Sequence, residues 1–372
     1  MLKVGVVGAS GFVGRRAVER LHDQGMTVCP IVRNPDNLAS LTAQNLNPFV
    51  ANAFDAKALT QAFQGCDIVI HSVLGSPGLM RGSVAPAYQA AQKAGVRRLI
   101  YLSSMIVHTS APAPGTTEST PPIHKQPGFP THIAKIDAER QLRRLRKKGS
   151  VEVVIFRPGI VFGPRSRWVA DLAHQLAQGT AYLINAGRGV CNTVYIDNLI
   201  HALRLAMTAE GVDGEAFFVG DREDVTWFDF YRPYAEALGV DPTQIPQVAI
   251  PHFTHSRQQQ VMDDIRHSVV LQKLLASIPD NFKQKFKRTV PKQNKSSTQP
   301  LPARVPPPQP VVTEMMAILQ QSEYKLPFEK AQKILGYEPI VTFKQGCRHS
   351  IDWLKNEQPL LFSATPHNID TL

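Results

Sequence analysis

Hydrophobic positions in this chain fall into short apolar runs, and most are followed by a stretch of helical periodicity. The first run, Val4 to Val7, enters a turn containing Gly8, Gly11 and Gly14. Val13, Ala17, Val18 and Leu21 then recur at a spacing that puts them on one side of a helix. Further apolar runs occupy residues 26–33, 49–54, 67–73, 96–104 and 151–156. Residues 67–73 are nearly all apolar, the pattern of a parallel strand covered on both faces. Asp55 stands where it can N-cap the helix after the third run. Residues 131–146, 168–178 and 199–207 read as helices, and 110–130, rich in Pro, Thr and Gly, reads as a loop. Residues 217–220 and 225–230 read as a small strand and a Thr-capped helix, and 325–353 as a closing helical segment. Strands alternating with helices predict an α/β fold with a doubly wound parallel sheet.

The first turn carries the chemistry. Glycines at 8, 11 and 14 remove the side chains that would hold a pyrophosphate away from the backbone. The free N–H groups at the helix start then face the anion, aided by the helix dipole. A glycine triplet set between a strand and a helix is a far stronger signal than the triplet alone. Val7-Gly8-Ala9-Ser10-Gly11-Phe12-Val13-Gly14 resembles the cofactor loop of the extended short-chain dehydrogenase/reductase family, which includes sugar-nucleotide epimerases and dehydratases and 3β-hydroxysteroid dehydrogenases. The resemblance implies a Rossmann-type sheet with a smaller C-terminal α/β substrate lobe, and an NAD or NADP cofactor. It places Gly8, Ser10, Gly11, Phe12, Val13 and Gly14 at the pyrophosphate, Asn52 and Ala53 at the adenine side, and Val73 beside the cofactor. Asn52 falls where the family usually has Asp, and its side-chain oxygen can still accept a hydrogen bond.

The second run ends in Arg33, where an NAD-preferring site has a carboxylate for the ribose. Arg15 follows the third glycine directly. Two guanidinium groups can hold a 2′-phosphate, so NADP is preferred over NAD. The plainer reading of Arg33 is a surface residue on a turn.

The fifth run delivers Ser103 and Ser104 to the sheet edge where ligands bind in open α/β folds. The resemblance matches Ser104 to the residue that orients the reacting oxygen, Lys135 to the holder of the nicotinamide ribose, and Pro158 and Gly159 to the segment beside the nicotinamide. Here the chain departs from the family. The signature Tyr-x-x-x-Lys reads Thr131-His132-Ile133-Ala134-Lys135. An ammonium four residues on lowers a phenol's pKa towards neutrality, whereas a Thr hydroxyl is far too weak an acid to take that part. Thr131 can position a substrate oxygen. His132, His108 and His124 are the titratable neighbours that could supply the proton. His71 reads as a core or edge histidine. Arg188 suits either an anionic substrate group or an exposed turn.

Composition narrows the class. The chain has 372 residues, 43% hydrophobic and 19% charged, ordinary for a globular protein. No apolar run approaches the ~18 residues of a membrane span. The first strand starts so early that no secretory leader is expected. Cys29, Cys66, Cys191 and Cys347 are scattered, with no metal-type spacing, and suit a reducing, cytoplasmic setting. Net charge is +11, concentrated in a run from Arg140 to Lys148 and another from Lys283 to Lys295. The first run carries no aromatic and the second only Phe286, so solvated helix ends and linkers are favoured over nucleic acid.

Resemblance to the family covers 1 to about 250 and 322 to 355. The expected division is 1–250 as the cofactor domain with parts of the lobe at 158–190 and 215–250, 251–320 as an insertion, 321–357 as the C-terminal lobe and 358–372 as a tail. Within the insertion, Val261, Ile265, Val269, Leu274, Leu275 and Ile278 recur at near-helical spacing, with Phe282 and Phe286 beyond Pro279. Residues 258–289 could serve as a lid, a homodimer contact or a peripheral membrane anchor, and 292–310 reads as an extended linker.

These features predict an NAD(P)-dependent oxidoreductase or epimerase/dehydratase acting on a hydroxyl or ketone of a small molecule. Sugar nucleotide, sterol and phenylpropanoid-like ketone all remain open. The alternatives are a catalytically silenced cofactor-binding scaffold and, less favoured, an RNA-binding offshoot.

Overall fold

The computed structural model describes residues 1–34, 46, 48–123, 130–254, 268–270 and 309–363. Its centre is a parallel sheet built by β1 (Lys3–Val7), β2 (Thr27–Val32), β3 (Phe49–Val50), β4 (Ile68–His71), β5 (Arg98–Leu102), β6 (Glu152–Pro158) and a strand at Ala216–Val219. The order is β3-β2-β1-β4-β5-β6 with Ala216–Val219 outermost, so the connections reverse direction between β1 and β4. Open α/β sheets bind ligands at that switch point.

Alternation along the buried strands divides the core in two. Val4, Val6, Ile68, Ile70, Ile100 and Leu102 face one side, with α1 (Phe12–Asp23) and the smaller lobe. Val7, Val69, Leu99 and Tyr101 face the other. That side is covered by α2 (Ala56–Ala62), α3 (Pro77–Lys93) and α4 (Pro130–Arg146). Asp55 accepts from the amides of Lys57 and Ala58 and so N-caps α2.

A short second sheet pairs β7 (Ile160–Phe162) with β8 (Thr193–Tyr195). Between and after these strands come α5 (Arg167–Ala177) and α6 (Ile196–Thr208). Arg98, almost fully buried, donates to the Ala206 and Ala209 carbonyls at the end of α6 and pairs with Glu152 at 2.7 Å. The lobe is completed by α7 (Trp227–Ala237), α8 (Glu314–Leu319), α9 (Glu329–Leu335), α10 (Phe343–Glu357) and α11 (Leu360–Ser363).

Two boundaries differ from the sequence reading. The strand at Ala216–Val219, β9, was assigned to the lobe but pairs with β6 and extends the main sheet. Both faces of it are buried, and a four-residue apolar run looks the same in either place. The insertion was drawn to residue 320, yet α8 already packs on the lobe. The Trp227 indole donates to the Leu319 carbonyl at 3.0 Å, and the buried Gln320 carboxamide accepts from the Ile184 amide at 2.7 Å. Most of the amphipathic stretch, the 292–308 linker and His124 lie outside the described residues. No helix among the described residues is long and apolar enough to cross a membrane.

Candidate cofactor and active site

The turn between β1 and α1 is shaped by contacts that only glycine allows. Gly8 adopts a φ of 86°, and its carbonyl accepts from the Gly11 amide at 2.9 Å. A Cβ on Gly14 would stand 2.2 Å from the Gly8 oxygen and 2.6 Å from Ser72 Oγ. Ser72 Oγ donates to the Val7 carbonyl at 2.8 Å, so β4 closes the back of the turn. Gly11 is the N-cap of α1, has no side chain to bond the first-turn amides, and no acid occupies that turn. The first turn of a helix leaves its N–H groups without intrahelical partners. Ser10 and Gly11 are exposed, and Phe12 and Val13 are half-buried. These residues fit a dinucleotide pyrophosphate: amides that no side chain caps, a positive helix end, and a close-packed turn that admits no side chain at Gly14.

At the adenosine side the fit is looser. Arg33 is exposed at the end of β2. Arg15 donates from Nε to Glu19 at 3.0 Å, and Glu19 also takes Arg165 at 3.0 Å and Arg16 at 3.3 Å. Burial opposes ionisation of Glu19, but the three guanidinium groups win and hold its carboxyl below the usual range. Asn52 Oδ1 accepts from the Phe54 amide at 3.1 Å, closing its own turn. Ala53 and Val73 are half-buried neighbours of the same sheet edge.

At the nicotinamide side, Ser104 caps a short 3-10 turn, Met105–His108, its Oγ accepting from the Ile106 amide at 3.3 Å. Ser103 is buried, and its hydroxyl has no partner among the described residues. Lys135 is 5% exposed. Its ammonium donates to the Leu102 carbonyl at 2.6 Å and lies 5.1 Å above the Tyr101 ring. Burial pushes it down to about 8, against the pull of Glu139 one turn on. Thr131 is exposed at the start of α4, one turn from the buried Lys135. Pro158 ends β6, and a Cβ on Gly159 would stand 2.0 Å from the Asn192 oxygen, so that crossing also requires glycine.

The histidines proposed as substitute acids are placed differently. His132 is fully buried, with Nε2 2.5 Å from the Ile123 carbonyl. His108 is buried against Arg157, with Nε2 2.9 Å from Nη1. Burial, then the Arg157 charge, push it down to about 4, so it is neutral near pH 7 and has no proton to give as an acid. Arg157 is itself held by both oxygens of Glu139, at 3.0 and 2.6 Å, in a pair only 3–4% exposed.

His71 is buried as the sequence implied, but the state of its ring and the roles of two carboxylates were not legible there. His71 is a core histidine, but neither ring nitrogen has a partner among the described residues, and it stands 5.6 Å from the Tyr101 ring. Burial, reinforced by Lys135, pushes it down to about 3. Asp197 is gripped by Arg16 (2.6 and 2.9 Å) and Arg20 (2.6 Å), which fastens α1 to the start of α6. Asp221, buried, accepts from the Tyr195 amide and Asn198 Nδ2 at 2.9 and 2.8 Å. Burial pushes its carboxyl up to about 6.

A strand–glycine turn–helix unit at the switch point of a parallel sheet, with a buried lysine at the end of β5, defines a dinucleotide-binding protein of the Rossmann class. Residues 8–175 match the NAD(P)H-binding family model. The chain is 26% identical over 273 residues to the 3-diazoavenalumate denitrifying reductase of a Streptomyces species, covering 68% of this chain and 87% of the relative. It is 24% identical to 3beta-hydroxysteroid-dehydrogenase/decarboxylase isoform 2 of Arabidopsis thaliana, covering 93% of this chain and 61% of the relative. In structure it resembles the dTDP-glucose 4,6-dehydratase of Streptomyces venezuelae, solved with NAD bound. The TM-score is 0.67 at 19% identity, over 96% of this chain and 98% of that one. The UDP-glucose 4-epimerase of Thermotoga maritima gives a TM-score of 0.66 at 18% identity, over 95% and 99% of the two chains. Over residues 8–175 the chain thus carries an NAD(P)H-binding segment, and its relatives and fold are similar to those of the extended short-chain dehydrogenase/reductase enzymes that the glycine turn and the Lys135 segment resemble.

Proposed function

We propose that this protein is an NADP-preferring oxidoreductase that moves a hydride between the nicotinamide and a carbinol or ketone carbon. The observation that carries the reading is the glycine turn at the head of α1, closed so tightly that no Cβ fits at Gly14 and leading into first-turn amides that no side chain caps. Gly8, Gly11 and Gly14 would hold the pyrophosphate, and Arg33 with Arg15 the 2′-phosphate once Glu19 yields Arg15 to it. Glu19 keeps Arg16 and Arg165 in that exchange. The cofactor supplies or accepts the hydride. Ser104 orients the reacting oxygen. Similarity to reductases and hydroxysteroid dehydrogenases supports an alicyclic ketone or alcohol of sterol-like type, with a sugar nucleotide second.

Lys135 is the proton-holding group that best replaces the missing phenol. A buried ammonium held near 8 exchanges a proton close to physiological pH, which Thr131 cannot do. Reductase turnover should therefore fall as pH rises through about 8, as Lys135 loses its proton. Lys135→Met should remove turnover while leaving measurable NADPH binding, and Lys135→Arg should not restore it. Absence of NADPH and NADH binding by the purified protein would overturn the reading. A second reading, a silenced cofactor-binding protein, is favoured by the exposure of Thr131. Thr131→Tyr separates the two: activity gained from none supports silencing, and activity already present and unchanged supports Lys135.

A further inference from the structure

Away from the cofactor turn, the described surface holds a second concave site. A groove of about 670 Å³ opens between the outer half of α4, the 118–122 turn and the start of β9. Arg140, Arg143, Arg144 and Lys147 line it at helical spacing, so one wall is a row of cations. Three carboxylates also border it, and each is already engaged. Glu139 holds Arg157, Glu215 holds Lys330 at 2.6 Å, and Glu118 takes the Phe218 amide at 2.9 Å.

Arg143 is the telling residue. It is half-buried, and Nη1 donates to the Gly214 carbonyl at 2.8 Å. None of the ion pairs among the described residues includes it. Burial, only partly offset by Glu139, pushes its guanidinium down. The carboxylates nearest to it, Glu139 and Glu215, are each already paired with another cation, so a half-buried guanidinium here has charge that a bound anion would help to balance. Arg144 and Lys147, both exposed, stand one and four positions on.

We infer that this groove binds a small polyanion, bearing phosphate or carboxylate groups, held by Arg143, Arg144 and Lys147. The forked donors of arginine suit both kinds of group. The site does not depend on the proposed reaction, since none of its three ligands lies at the cofactor turn or at Lys135.

Calorimetric titration of the full chain, saturated with NADPH, with inorganic pyrophosphate and separately with citrate tests this. Saturable binding of at least one is expected. It should weaken by about tenfold or more in the R143Q/R144Q/K147Q variant, whose NADPH affinity should stay unchanged. Pyrophosphate alone would assign a phosphoanhydride ligand, citrate alone a polycarboxylate, and both a polyanion chosen by charge. If the triple variant does not fold, the exposed single change R144E should still weaken binding. The inference is overturned by no saturable binding, by binding that the variants leave intact, or by an anion that displaces NADPH. It is equally overturned if a single-stranded oligonucleotide binds while both small anions fail.

Discussion

Gly14 has no room for a methyl group, and that is the sharpest statement the structure makes about a single residue. Gly14→Ala sets a carbon against the Gly8 carbonyl and Ser72 Oγ, so the turn must open. NADPH affinity, followed by fluorescence titration, should fall by about tenfold or more while the far-ultraviolet circular dichroism is kept. His71 makes a different prediction. Its ring is neutral in the fold, pushed down to about 3, whereas in the unfolded chain it titrates near 6.5. The unfolded state therefore binds the extra proton, so this contribution to stability is complete above about 6.5 and is lost as pH falls towards 3. His71→Leu should flatten the dependence of the urea midpoint between pH 7 and pH 4. The glycines were legible in the sequence because backbone approach leaves a one-letter trace. The orphaned ring of His71 was not, because burial depends on what α3 and α4 lay across it.

At the scale of elements, α4 carries most of what distinguishes this chain. Lys135 and Glu139 face inward, Thr131 faces out, and the basic row faces the groove. The Glu139–Arg157 pair ties this helix to the end of β6. Removing one partner of so buried a pair leaves the other uncompensated. Glu139→Gln should cost about 3–5 kcal/mol in equilibrium denaturation. It should also move the alkaline limb of turnover to lower pH, since Glu139 is the charge that raises Lys135. The strands were readable because parallel strands buried on both faces are continuous apolar runs. Their ends were drawn too wide: 67–73 shrank to Ile68–His71 and 49–54 to Phe49–Val50. Apolar residues continue past the last ladder bond, into the turns that line the site.

The molecule as a whole is held by contacts that span most of the chain. Arg16 and Asp197 are 181 positions apart, and Arg98 reaches from β5 to the last turn of α6. No local spacing announces such pairs, which is why the fold class was legible and the fastening of α1 to the lobe was not. A ligand that binds only the native state stabilises it by mass action. NADPH at a hundredfold excess over its Kd should therefore add about 2.7 kcal/mol to unfolding, read as a rise in the thermal midpoint. Asp197→Asn, which keeps the shape but removes the charge gripped by Arg16 and Arg20, should lower that midpoint.

The grip on Asp197 has a consequence for how the two halves communicate. The helix whose first turn is proposed to hold the dinucleotide grips, through Arg16 and Arg20, the start of the segment that leads back from the lobe. A cofactor that orders the first turn of α1 would thereby also steady the start of α6 through Asp197. Protease cleavage near residues 185–195 should accordingly slow when NADPH is added, and that protection should vanish in Asp197→Asn even where the nucleotide still binds.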